Sequence, residues 1–225
     1  YGTSQLFIMG SAGEVTILTQ EEKHAIVKEV IAMTKGRIPV FFSAAAFTTD
    51  ASIEMAKYCQ EAGADGVVFT VPPYVLINQH AVMSHFDACM GSIDIPCGIY
   101  NNPSRLGVQV RPETIKALSD KHPNFVVDKE ALPSVEQLVQ VQRLCEGKVK
   151  IMCCDYPHYS ILIPTLGIGG TGAANIGGNI IPEEAASYSR PWTSIQIMEE
   201  CRRDYFYWFP LLQMLYTFSN PVCIK

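Results

Sequence analysis

The feature that most constrains this chain is an uninterrupted alternation of short apolar runs with capped amphipathic segments, repeated seven times. The apolar runs are Leu6-Phe7-Ile8-Met9, Ile38-Pro39-Val40-Phe41-Phe42, Gly66 to Thr70, Ile95 to Asn101, Phe125-Val126-Val127 leading into Asp128-Lys129, Lys150 to Cys154, and Gly172 to Ile176. Each is short and largely apolar, and most are rich in β-branched or aromatic residues, the signature of a buried strand. Between them the pattern turns helical. Thr19-Gln20-Glu21-Glu22 is a capping box opening a helix that reaches about Thr34. Thr49 to Ala62 is closed by Gly63, and Gln79 to Met90, Pro112 to Lys121, Ser134 to Leu144 and Tyr159 to Leu166 follow. Pro182-Glu183-Glu184 places a proline at the first position of the last of these helices.

Alternation at this spacing means βαβ units and a parallel sheet, either open and doubly wound or closed into a barrel. The glycine-rich dinucleotide turn G-x-G-x-x-G is absent, because Gly10-Ser11-Ala12-Gly13 has the wrong spacing. The expectation is therefore an α/β fold, a (β/α)8 TIM barrel, with the first β/α unit missing from this chain and extra C-terminal helices. Residues 1–190 are assigned to the barrel and 191–225 to the start of a helical segment. There Ile195 to Phe209 and, after Pro210, Leu211 to Phe218 read as two aromatic helices packing outside the barrel or on another subunit.

Composition narrows the partners. The net charge is −5 with no basic run, which argues against nucleic acid or an anionic membrane. No apolar segment approaches the length of a membrane span. The eight cysteines are scattered and form no C-x-x-C pair, a usage suited to reduced thiols in the cytoplasm. The five histidines lack metal-ligand spacing, and neither a metal nor another cofactor is expected.

One strand end carries chemistry. Phe125-Val126-Val127-Asp128-Lys129-Glu130-Ala131 ends an apolar run in a lysine. Burying an ammonium is costly unless it is paired or loses its proton. A lysine amine desolvated in a pocket attacks carbonyls to form a Schiff base. The plainer reading is a lysine whose head snorkels to the strand end and pairs with Asp128 or Glu130.

The other strand ends decide between these readings. They are Gly10-Ser11-Ala12-Gly13-Glu14, Thr70-Val71-Pro72-Pro73-Tyr74 and Tyr100-Asn101-Asn102-Pro103-Ser104-Arg105. With Lys129 they resemble the dihydrodipicolinate synthase/N-acetylneuraminate lyase family, pyruvate-dependent class I aldolases on a (β/α)8 barrel. The resemblance runs from Gly10 to the terminal Asn220-Pro221-Val222-Cys223-Ile224-Lys225. It implies that Lys129 forms the imine with pyruvate and that Tyr100 passes protons to and from the enamine. It also implies that Ser11 relays protons between Tyr100 and Tyr74, the latter crossing into a neighbouring subunit's site. Ser11, Ala12 and Ala174 fall in the substrate-binding set, the turn amides facing the pyruvate carboxylate. Arg105 matches the arginine that grips aspartate semialdehyde in the synthase branch, a task suited to a bidentate guanidinium.

The chain departs from the family pattern at Ala12 and Leu106, each standing for a threonine. It departs also at Ser43-Ala44-Ala45-Ala46, at Cys154 in place of a glycine, and at Asp128 before the lysine. Strand alternation turns Asp128 away from the barrel interior. The expected activity is a Schiff-base condensation of pyruvate with aspartate semialdehyde by a homo-oligomer, a dimer or a dimer of dimers. The rivals are retro-aldol cleavage of a 2-keto-3-deoxy sugar acid or N-acetylneuraminate, and a non-catalytic binding or regulatory barrel.

Overall fold

The computed structural model describes residues 2–155 and 159–225. Seven strands, β1 (Leu6–Ile8), β2 (Val40–Ser43), β3 (Gly66–Phe69), β4 (Cys97–Asn101), β5 (Phe125–Glu130), β6 (Lys150–Cys154) and β7 (Ala173–Ala174), form one sheet. Neighbours in sequence are neighbours in the sheet, and every ladder is parallel. The sheet curls into a nearly closed barrel whose edges are β1 and β7.

Helices α1 (Gln20–Thr34), α2 (Thr49–Ala62), α3 (Gln79–Met90), the single turn α4 (Pro103–Leu106), α5 (Pro112–Lys121), α6 (Val135–Cys145), α7 (Leu162–Gly167) and α8 (Pro182–Ser189) run between and after the strands. Their ends follow local chemistry. The Thr19 hydroxyl accepts from the Glu22 amide while the Glu22 carboxylate accepts from the Thr19 amide, so the capping box forms in full. Thr48, Asn78 and Ser134 cap α2, α3 and α6 with their side-chain oxygens. Gly63 ends α2 at φ 90°, a conformation glycine adopts without steric cost.

Strand alternation sorts the buried side chains into two layers. Phe42, Val67, Phe69, Cys97, Ile99, Ile151 and Cys153 face the helices and join the main core. Phe7, Phe41, Val68, Tyr100, Ala131 and Cys154 form a separate, smaller cluster inside the barrel. Gly66 and Gly98 make room for that inner layer. A Cβ on Gly66 would stand 2.3 Å from the Phe41 ring, and one on Gly98 2.5 Å from Val127 Cγ1.

A single irregularity in register decides what faces inward on β5. Cys97 pairs with Phe125 but Gly98 pairs with Val127, leaving Val126 as an extra residue. Beyond the bulge, Tyr100 lies beside Lys129 and Asn101 beside Glu130. A one-residue slip in a strand exchanges its two faces. Without the bulge, Tyr100 would have Asp128 as its inward neighbour.

The C-terminal region departs from the expected pair of helices. Ile195–Met214 is one continuous helix, α9, with Pro210 inside it. An interior proline costs about 3 kcal/mol through a lost hydrogen bond and a clash with the preceding turn. Tyr205 before it, and Leu212 and Leu215 after it, are all buried in the main core. At roughly 1.5–3 kcal/mol for each buried large side chain, that packing outweighs the proline. Helix α9 packs on α8, and the Tyr205 hydroxyl donates to the Tyr159 carbonyl at 3.0 Å, while the Tyr159 hydroxyl accepts the Gly177 amide at 3.1 Å. A lattice of aromatic hydrogen bonds thus ties α9 to the segment after β7.

Candidate active site

A cleft of ≈ 560 Å³ runs along the inner face between β1 and β7 and opens at the carboxyl ends of the strands. Lys129, Tyr100, Ser11, Ala12, Arg105 and Ala174 all line it. Five elements or turns converge there because a parallel barrel aims every strand's carboxyl end at one mouth. Among the described residues its charged liners are Lys129, Arg105, Arg190 and Asp155, a cationic balance inside a chain of net charge −5.

Lys129 is buried, and its Nζ lies 3.8 Å from the centre of the Tyr100 ring and 4.7 Å from that of Phe7. It forms no ion pair among the described residues, so the pairing with Asp128 or Glu130 that a snorkelling lysine would make is not found. Alternation explains this: Asp128 and Glu130 point to the helix side of β5.

Glu130 has a built environment there. Its carboxylate accepts from Asn101 Nδ2 at 3.0 Å, Gln137 Nε2 at 3.2 Å and the Leu132 amide at 3.0 Å. Asn101 also exchanges hydrogen bonds with the Val110 backbone at 2.9 and 3.0 Å. The network clamps the ends of β4 and β5 together and so fixes Tyr100 and Lys129 side by side. Burial still dominates over these donors and pushes the Glu130 carboxyl up to about 7.

The Tyr100 hydroxyl accepts from Asn102 Nδ2 at 2.7 Å and lies 3.1 Å from Cys154 Sγ. Asn102 is oriented in turn by the Ser104 hydroxyl, which donates to its Oδ1 at 2.7 Å. Burial, followed by Cys154, holds the Tyr100 phenol well above its usual ionisation range. Asn102 and Asp155 were not singled out from sequence. Asn102 lies inside the quoted motif, so its buried place beside the phenol had a signal; Asp155 follows a strand as an ordinary loop acid and had none.

The turn after β1 is a single 3₁₀ turn, Ser11–Gly13. The Gly13 amide bonds back to the Gly10 carbonyl at 3.0 Å and the Glu14 amide to that of Ser11 at 3.2 Å. The Ser11 and Ala12 amides have no such partner among the described residues and lie at the cleft, where an anion would satisfy them. Arg105 sits on α4, exposed at the rim. Tyr74 is the outlier. It is 89% exposed, has φ 79°, and does not line the cleft. Within one chain, then, the structure brings together Lys129, Tyr100 and Ser11 and leaves Tyr74 outside.

A parallel β/α barrel with a buried lysine and a tyrosine side by side at its strand ends is the framework of an aldolase-type enzyme. The chain matches the Dihydrodipicolinate synthetase family over residues 1–225, and it belongs to that family. It is 34% identical over 224 residues to the 4-hydroxy-tetrahydrodipicolinate synthase of Clostridium novyi, covering 100% of this chain and 74% of the relative. The enzyme of the same name from Citrifermentans bemidjiense is 31% identical, with 100% and 76% covered. The structure of the chloride-inhibited dihydrodipicolinate synthase from Acinetobacter baumannii complexed with pyruvate superposes with a TM-score of 0.91 at 25% identity, covering 100% of this chain and 75% of that one.

Proposed function

We propose that this enzyme joins pyruvate to aspartate semialdehyde through a Schiff base on Lys129. The observation that carries the reading is the placement of Lys129: buried, without a carboxylate partner among the described residues, against the ring of Tyr100. The amine attacks the keto carbon, the carbinolamine expels water, and the iminium loses a methyl proton to become an enamine. The enamine carbon then attacks the aldehyde, and hydrolysis frees Lys129. The Ser11 and Ala12 amides hold the pyruvate carboxylate, and Ala174 closes the wall opposite. The pyruvate complex of the Acinetobacter relative supports pyruvate as the first substrate. The cytoplasm is the compartment that fits these metabolites and the eight free thiols, and no helix among the described residues is long and apolar enough to cross a membrane.

Arg105 is assigned to the carboxylate of the aldehyde. Arg105→Ala is expected to lower kcat/KM for aspartate semialdehyde about 10- to 100-fold, the worth of hydrogen bonds to a charged group. Borohydride trapping of pyruvate alone should be unaffected. Steady-state kinetics that show kcat/KM unchanged would move the assignment to a sugar-acid substrate.

Tyr74 is assigned to the site of a neighbouring subunit. Tyr74, Val75 and Leu76 form an exposed aromatic and aliphatic loop, with Phe47 exposed as well, and an oligomer would cover such a surface. Tyr74→Phe and Lys129→Ala subunits, each weakly active or inactive alone, are expected to regain partial activity when mixed into hybrid oligomers. Hybrids demonstrated by mass spectrometry but lacking activity would confine the site to one chain.

A further inference from the structure

The Tyr100 hydroxyl has partners in the fold other than the serine and tyrosine that the family resemblance assigns to it. Asn102 Nδ2 donates to Oη at 2.7 Å, and Cys154 Sγ lies 3.1 Å from it. The Cys154 thiol donates onward to Asp155 Oδ1 at 3.1 Å. The second oxygen of Asp155 accepts the Ile176 amide at 2.6 Å, which fixes the carboxylate in place. Tyr100, Cys154 and Asp155 are all buried, and all three line the cleft that holds Lys129.

The hydrogen bonds have a direction. Asn102 fills one lone pair of the phenol oxygen, and the single thiol hydrogen is engaged by Asp155. The phenol's own O–H is therefore left to point at sulfur, giving Tyr100 O–H to Cys154 S–H to the Asp155 carboxylate. This chain of groups lies wholly within one subunit, whereas the route through Ser11 takes its tyrosine, Tyr74, from a neighbour.

We infer that Cys154 and Asp155 form a second proton relay of Tyr100, built within this chain, with Asp155 as its terminal base. The inference rests on the Schiff-base reading. When the iminium loses a methyl proton, the C–H bond breaks and its electrons form the enamine double bond, while the C=N π electrons return to nitrogen. The released proton goes to Tyr100 Oη, the phenol's proton to Cys154 Sγ, and the thiol proton to Asp155 Oδ1. Iminium and carboxylate become neutral enamine and carboxylic acid, and the reverse shift protonates the enamine. A buried phenol is a poor base by ionisation, because its phenolate is desolvated. A relay lets it pass a proton without carrying a charge at any stage. Cys154 is thus a positioning residue, a wire between Tyr100 and its base.

The readout that isolates this step is exchange of the pyruvate methyl protons in deuterated water, followed by NMR, alongside borohydride trapping of pyruvate on the same protein. Cys154→Ala should slow exchange about 10- to 100-fold, in the lower range for a lost acid–base group, with trapping at equilibrium unchanged. Cys154→Ser, which keeps a donor and acceptor at the same place, should recover most of the lost rate. Asp155→Asn, which keeps the shape of the terminal acceptor and removes its basicity, should slow exchange with the cysteine still in place. Wild-type exchange in Cys154→Ala overturns the relay, as does a serine variant no faster than alanine, since packing alone would then explain the loss. Absence of a trapped adduct in the wild type overturns the Schiff-base reading itself, so the two failures are told apart.

Discussion

Replacing Lys129 by arginine is expected to reduce carbon–carbon bond formation on the order of 10⁴-fold or more, to the background of the assay. The charge and much of the stem are retained, and arginine can still lie over Tyr100 and Phe7. What is lost is a nitrogen with a lone pair, because guanidinium does not deprotonate in proteins. Lys129→Ala should be equally inactive but should respond differently to added small amines, which can enter the space the side chain vacates and restore part of the rate. Borohydride with pyruvate should add a reduced pyruvoyl group to Lys129 and inactivate the wild type, while both variants stay unlabelled. A mass map placing the adduct on any other residue, or an arginine variant that turns over, removes the nucleophile from this scheme. The expected effect is this large because a covalent step has no substitute in the cleft: Lys129 is its one lysine among the described residues.

Much of this arrangement could be read from the chain because the signals are local. Capping residues and proline positions set the helix ends, so Gln79–Met90 and Pro112–Lys121 lie where their patterns place them. The strand-end lysine stands out since an ammonium after an apolar run is costly in a core. The features that escaped depend on contacts distant in sequence or on a single extra residue. Nothing in Phe125-Val126-Val127 announces that Val126 bulges, yet that bulge puts Lys129 inside and Asp128 outside. Cys154 could be seen as a departure, but its bond to Tyr100 spans 54 positions of chain and exists only once the barrel has curled. The continuity of α9 through Pro210 reverses a strong local rule, and does so because buried residues flank the proline on both sides. The short turn α4 after Asn102 was missed as a helix altogether, although Pro103 at its first position was in plain sight.

Asp128→Val is expected to stabilise the protein by about 2 kcal/mol or more near neutral pH, raising Tm by roughly 4–8 °C. Asp128 is fully buried between Ile99 of β4 and Ile151 of β6, and neither of its carboxylate oxygens has a hydrogen-bond partner among the described residues. Desolvation, followed by the charge of Glu130, holds its carboxyl well above the usual carboxylate range. In the unfolded chain both acids ionise near pH 4. Between that pH and their folded-state values, the folded protein binds more protons than the unfolded one. Stability from this pair is therefore present at low pH and is lost as pH rises, by about 1.4 kcal/mol per pH unit for each extra proton held. Glu130 stops contributing to the slope above about 7, while Asp128 continues beyond it. Valine removes both the unpartnered oxygens and the titration, and a β-branched side chain suits a strand packed between two isoleucines. Asn is the control: it abolishes the charge but leaves an unsatisfied amide, so its gain should be smaller while the pH slope flattens equally. Thermal melts from pH 5 to 9 check both parts. A valine variant that melts lower than wild type, or keeps the wild-type dependence on pH, would mean that the carboxyl of Asp128 is better accommodated than its surroundings allow.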